Sequence, residues 1–165
     1  MFWMKYPKRL YEVAPPAFYF PDVSALESRG LVSEIISEVE GEDDVLVTWK
    51  FRATVEQNFS YQQFPFEQND IRLVILYPDL SKNILLVPDL DGYGVLNPAA
   101  MPGLNPEITV PSSKTISSFF TFKTIDYNTT FGNETTVNSH PALTFNMAAK
   151  RIFLSPFIAK IVPIL

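Results

Sequence analysis

The sequence has no cysteine, one histidine and only six glycines in 165 residues. Without cysteine, nothing in the fold depends on disulfides, thiolate chemistry or sulfur-ligated metal. A lone histidine, His140, excludes a histidine-cluster zinc site and argues against a hydrolase triad. Basic residues are scarce as well. Thirteen Lys and Arg against eighteen Asp and Glu leave a net charge of −5, and the basic residues gather only around Lys5, Lys8 and Arg9 and at Lys150-Arg151. Nucleic acid is therefore not an expected partner. No nucleophile–base pair, phosphate loop or metal cluster stands out, so neither an enzyme activity nor a cofactor is expected. Phe2-Trp3-Met4 is followed by basic and proline-containing sequence, not by an apolar run of signal-peptide length.

What is present is a core-forming composition. Apolar residues make up 47% of the chain and phenylalanine alone occurs fourteen times, enough for a packed interior. One domain of this length buries roughly 70% of the surface that its unfolded chain would expose. Fourteen prolines, spread along the chain, favour short strands and turns over long helices.

The clearest strand signal covers Val45 to Glu56, where Val45, Val47, Trp49, Phe51, Ala53 and Val55 alternate with mostly polar neighbours. Ile71–Tyr77 reads as a second strand. Asp79–Asn83 reads as a hairpin turn into the apolar run Ile84–Val87. Pro88 to Pro111 is loop or short strand, Thr115–Ile125 a strand, and Asn128–Ser139 an exposed hairpin tip. Leu143, Phe145, Met147 and Ala149 mark a last strand. Leu31, Ile35 and Val39 have helical spacing, but the acidic turn Glu40–Asp44 leads directly into the long strand, which favours a hairpin. The expected fold is all-β, an immunoglobulin-like antiparallel sandwich over residues 1–152. Residues 153–165 follow Lys150-Arg151 and are apolar apart from Ser155 and Lys160. They read either as a short core helix or as the first turns of a transmembrane helix, which needs about 20 residues in all.

Two segments carry more specific information. One runs from Arg52 through Phe64-Pro65-Phe66-Glu67. The other runs from His140 through Arg151 into the apolar tail, which contains Pro163. In this order they resemble the pentameric ligand-gated ion channel family, in whose members a strand leads into a Phe-Pro-Phe-Asp loop and the last strand ends at a basic residue before the first membrane helix. Glu67 stands here where that family has Asp. Phe18–Asp22 looks like the loop before the family's middle strands and Phe2–Pro7 like the end of its second strand, so the resemblance implies a piece lacking the first strand. In animal members a disulfide brackets the loop; by spacing, its positions fall on Gln57 and Ile71, as in bacterial relatives that lack it.

The resemblance implies a ligand-sensing domain of a membrane receptor, in the periplasm or extracellular space of a bacterial cell. It would be anchored through a C-terminal helix and assembled as a homo-pentamer. A small-molecule ligand would bind among aromatics between subunits, where a cation can rest on ring faces. By position the candidates are Tyr19, Trp49, Tyr93, Tyr127 and Phe131, each of which ordinary core packing would equally explain. Phe64, Pro65, Phe66, Glu67 and Arg151 would couple binding to the membrane helices. The alternative is a sensor or structural sandwich of a bacterial membrane protein without channel activity. Three minor features have bland readings: Asp89-Leu90-Asp91-Gly92 as a solvated turn rather than a Ca²⁺ loop, His140 as a surface or capping residue, and the acceptor patterns at Asn58, Asn128 and Asn133 as chance matches.

Overall fold

Period-2 alternation gives strands such as Asp44–Arg52 an apolar face that can pack inward. The computed structural model describes residues 1–11, 13–23, 32–57, 68–82, 84–93, 101–104, 113–129 and 139–152. Its strands are β1 (Phe2–Pro7), β2 (Val32–Glu40), β3 (Asp44–Arg52), β4 (Gln68–Ile75), β5 (Ser113–Asp126) and β6 (Ser139–Arg151), with a one-turn helix α1 (Lys8–Tyr11). They form two three-stranded sheets, ordered β1-β3-β2 and β4-β6-β5, with every neighbouring pair antiparallel. No described helix is long and apolar enough to cross a membrane, and residues 153–165 lie outside the described residues.

In the first sheet Phe2, Met4 and Tyr6 stand opposite Trp49, Val47 and Val45. Met4, Tyr6, Val45, Val47 and Trp49 form one buried cluster. In the second sheet Ile75 and Leu143 are buried with Phe20, and Phe2, Phe51, Leu73 and Phe120 from both sheets pack on them. The two sheets thus share an apolar interior. Phe18 and Phe20 fill it from a connecting segment: Phe18 lies 5.0 Å from Phe2 and 5.4 Å from Trp49, and Phe20 lies 5.2 Å from Phe51, as ring centroids. Burial, with the adjacent Tyr77 hydroxyl, pushes the Tyr6 phenol up to about 12.

Two of the three hairpins expected from the sequence form, β2–β3 and β5–β6. The helical spacing of Ile35 and Val39 has a local cause. A bulge lies between Ile35 and Ser37, so Ile35 pairs with Trp49 and Val39 with Leu46, residues of opposite faces. β5 carries the same irregularity between Thr115 and Ser117.

Two expectations are corrected. The long strand ends at Arg52, not Glu56, because its ladder partners run out there: β2 begins at Val32, opposite Arg52, and β1 begins at Phe2, opposite Trp49. Beyond it only Val55 makes an isolated bridge, to Val23. The turn at Asp79 forms, with its carboxylate accepting from the Ser81 N–H and hydroxyl. The run Ile84–Val87 is not a strand, however. Leu86 enters the core while Leu85 and Val87 stay exposed, so its alternation reflects one-sided packing without a ladder.

Gly103 is the one described glycine with a left-handed backbone, at φ 80°, and a Cβ there would meet the Phe145 ring at 2.7 Å. Gly103→Ala is expected to destabilise by about 1–3 kcal/mol in urea unfolding, combining backbone strain with displacement of Phe145.

Candidate functional site

The aromatic candidates separate into three places. Phe18 and Phe20 face inward, so Tyr19 between them faces out and is 48% exposed. Its backbone is fixed by a reciprocal pair of bonds with Leu76, 2.8 Å from the Tyr19 N–H and 2.9 Å from the Leu76 N–H. Pro21 and Asp22 then turn the chain. Tyr127 follows the end of β5, just before Asn128, whose φ of 52° reverses the chain. His140 stands at the start of β6, with its ring 5.7 Å from that of Tyr127. Burial, then the nearby Tyr19 hydroxyl and the Asp22 carboxylate, raise the Tyr127 phenol above its ordinary value. Tyr19, Asp22, Tyr127 and His140 therefore make one polar aromatic group. Two half-exposed rings beside a carboxylate suit a small cationic ligand.

His140 is a correction. It is buried at 3% exposure, not on the surface, and its Nε2 has no hydrogen-bond partner among the described residues. Neither it nor Asp22 was foreseen as part of a site. The adjacency of Asp22 to Tyr19 in sequence was the one available signal.

Tyr93 belongs to a second group. It packs on Trp3 at 5.2 Å, and the Trp3 indole N–H donates to Asp89 at 3.1 Å. Lys5 completes this group with an ion pair to Asp89 at 3.0 Å. Trp3 and Lys5 share the face of β1 opposite Met4 and Tyr6, so Asp89 ties the 84–93 segment across β1. Asp89 is thus engaged by protein donors, Trp3 and Lys5. No group of potential metal ligands occurs among the described residues. Partial burial pushes the Asp89 carboxyl up, but hydrogen bonds from Lys5 and Trp3, and the Lys5 charge, outweigh it and hold it below its ordinary value.

Trp49 is also corrected. At 5% exposure it is core, packed on Phe2 and Phe18, and does not face a ligand. Phe131 and the loop Phe64, Pro65, Phe66, Glu67 lie outside the described residues. Arg151 is half-buried at the end of β6, opposite Ser113. A separate open cleft of about 510 Å³ lies between Lys5, Lys8 and Arg9 and the acidic turn Glu42–Asp44, and it contains none of the predicted aromatics.

The register fixes which of these places share an end of the molecule. Gln68, the first residue after the 58–67 segment, pairs with Lys150, and Ser113 pairs with Arg151. The starts of β4 and β5 therefore lie beside the end of β6, at one end of the second sheet. His140 and Tyr127 sit at the other, eleven residues back along β6, or roughly 36 Å at strand rise. No protein-family model matches the chain, and no characterised protein matches it in sequence.

Asp89→Asn tests the tie between β1 and the 84–93 segment. A carboxylate held below its unfolded value stabilises the fold above that value, near 3.8, and the benefit is lost as the pH falls further. The variant is expected to lose about 1 kcal/mol at pH 7, with the difference from wild type shrinking progressively as the pH falls below 3.8 in paired urea titrations.

Proposed function

We propose that this chain is the ligand-sensing, extracytoplasmic sandwich of a bacterial membrane receptor resembling the pentameric ligand-gated channels. The observation that carries the reading is the placement of its parts along β6. The Tyr19–Asp22–Tyr127–His140 group lies at one end, and Arg151 lies at the other beside the start of β4. A continuous thirteen-residue central strand, paired with β5 throughout and with β4 from Leu143 to Lys150, is a stiff link between such sites. The two antiparallel sheets sharing one interior are consistent with an immunoglobulin-like sandwich.

In this reading a small cationic ligand rests on Tyr19 and Tyr127 with Asp22 as counter-charge. The bound state repacks the sandwich against a neighbouring copy, and the change passes through the loop at Phe64–Glu67 and through Arg151 to the membrane helices. The outer strands support assembly into a ring. β2 exposes Ile35, Ile36 and Val39 among glutamates, and β5 exposes Ile116, Phe119 and Phe122 between Lys114 and Lys123. The two surfaces are apolar and opposite in charge, as a head-to-tail contact between identical copies requires.

The test is electrical recording from the full-length protein while small primary and quaternary amines are perfused. Amine-evoked current is expected, and Tyr127→Ala or Asp22→Asn should raise the half-maximal concentration about tenfold or more without lowering the unfolding midpoint. Absence of current with every amine would sink the channel reading. Amine binding to the domain without current would leave a sensor that acts through another output.

A further inference from the structure

Among the described residues, the side chain of Gln57 fastens the chain leaving β3 to β4. Gln57 Nε2 donates to the Arg72 carbonyl at 2.8 Å, and the Arg72 N–H donates to Gln57 Oε1 at 3.1 Å. The N–H and C=O of one strand residue point to the same side. Arg72 therefore turns both groups away from β6, its neighbour in the sheet, and out from the open side of β4. A carboxamide carries the same donor and acceptor as a peptide unit. Gln57 stands where a further strand would, satisfies the edge of β4, and closes the chain between residues 57 and 72.

The residues before Gln57 are held from the opposite direction. Val55 bridges Val23, and the Glu56 N–H donates to the Asp22 carbonyl at 3.2 Å. Residues 55–57 thus touch two things at once: the segment that carries Tyr19 and Asp22, and the strand that follows the 58–67 segment. This contact is far shorter than the route along β6.

We propose that Gln57 is a positioning residue: its reversible two-bond clasp on Arg72 holds residues 55–57, and through them the Tyr19–Asp22 segment, against β4. The clasp as a structural device stands on the hydrogen bonds alone, whereas its effect on ligand response rests on the receptor reading above. Because the clasp is hydrogen-bonded and only half-buried, it opens and closes, as a covalent closure would not.

Amide exchange and receptor currents together test it. Gln57→Met keeps the length of the side chain and removes both bonds; Gln57→Glu keeps only the acceptor for the Arg72 N–H. In Gln57→Met the Arg72 amide should exchange about tenfold faster, with β5 and β6 amides changed less than twofold. Gln57→Glu should fall between Gln57→Met and wild type. Unchanged Arg72 exchange, or equal acceleration across all strands, would overturn the clasp. In the full-length protein, Gln57→Met should shift the half-maximal amine concentration at least fivefold while amine affinity of the domain stays within twofold. Wild-type currents with an unshifted Gln57→Met response would overturn the positioning role. A wild-type protein that passes no current, but whose Arg72 exchange responds to Gln57, would retain the clasp and lose the receptor reading.

Discussion

A three-stranded sheet has too little apolar face to stand alone in water, and this chain has two of them. What unites them is the alternation Phe18-Tyr19-Phe20. The backbone of Tyr19 is pinned to Leu76 at the end of β4, which places the rings of Phe18 and Phe20 on the residues of both sheets. Phe18 reaches Phe2 and Trp49 on the first sheet, while Phe20 is buried with Ile75 and Leu143 of the second. Once these two rings are in place, the outward direction of Tyr19 follows from the pleat. The same constraint that closes the core therefore aims the most exposed aromatic of the candidate site.

The second sheet has a different physical character from the first. Its central strand presents Ala142, Thr144, Asn146 and Ala148 on one side, all buried. Asn146 satisfies its amide on Thr121 and on the Thr144 carbonyl, and Val74, Leu76 and Ala142 form a small apolar cluster flanked by Ile125. Small residues let neighbouring strands lie flat against β6, and the hydrogen-bonded amide fixes its register to β5. The result is a central strand gripped along most of its length. Rigidity of that kind is a precondition for carrying a displacement from His140 to Arg151 instead of absorbing it.

The strands were legible in the sequence wherever alternation was reinforced by a ladder on both sides. β3 and β6 are central strands, and their apolar periodicity marks them plainly. β2 could be placed only through the acidic turn that follows it, because its bulge scrambles the two faces. Ile84–Val87 shows the converse failure: alternation arose from one-sided packing without pairing. At the site, composition offered too many aromatics to choose among. Trp49 and Tyr127 look alike in a strand pattern, yet one lies against two rings of the core, Phe2 and Phe18, and the other beyond the end of β5. The pairing of Tyr127 with His140 depends on the long-range register of β5 against β6, which no local pattern encodes. Asp89 was readable as an acidic residue in a turn, but its donors, Trp3 and Lys5, lie more than eighty positions away.

Both hairpins carry a bulge in the strand that lies at the sheet margin, and in each the extra residue is an isoleucine, Ile36 in β2 and Ile116 in β5. Both are about half exposed, at 51% and 46%. An extra residue breaks the regular spacing of free N–H and C=O groups and adds local twist. A foreign strand pairing across either bulge would fall out of step at that point. The chain thus interrupts backbone pairing at the points where these two isoleucines stand on its margins. In the proposed ring, such an interruption would favour side-chain contact at the bulges over continuous strand pairing between copies.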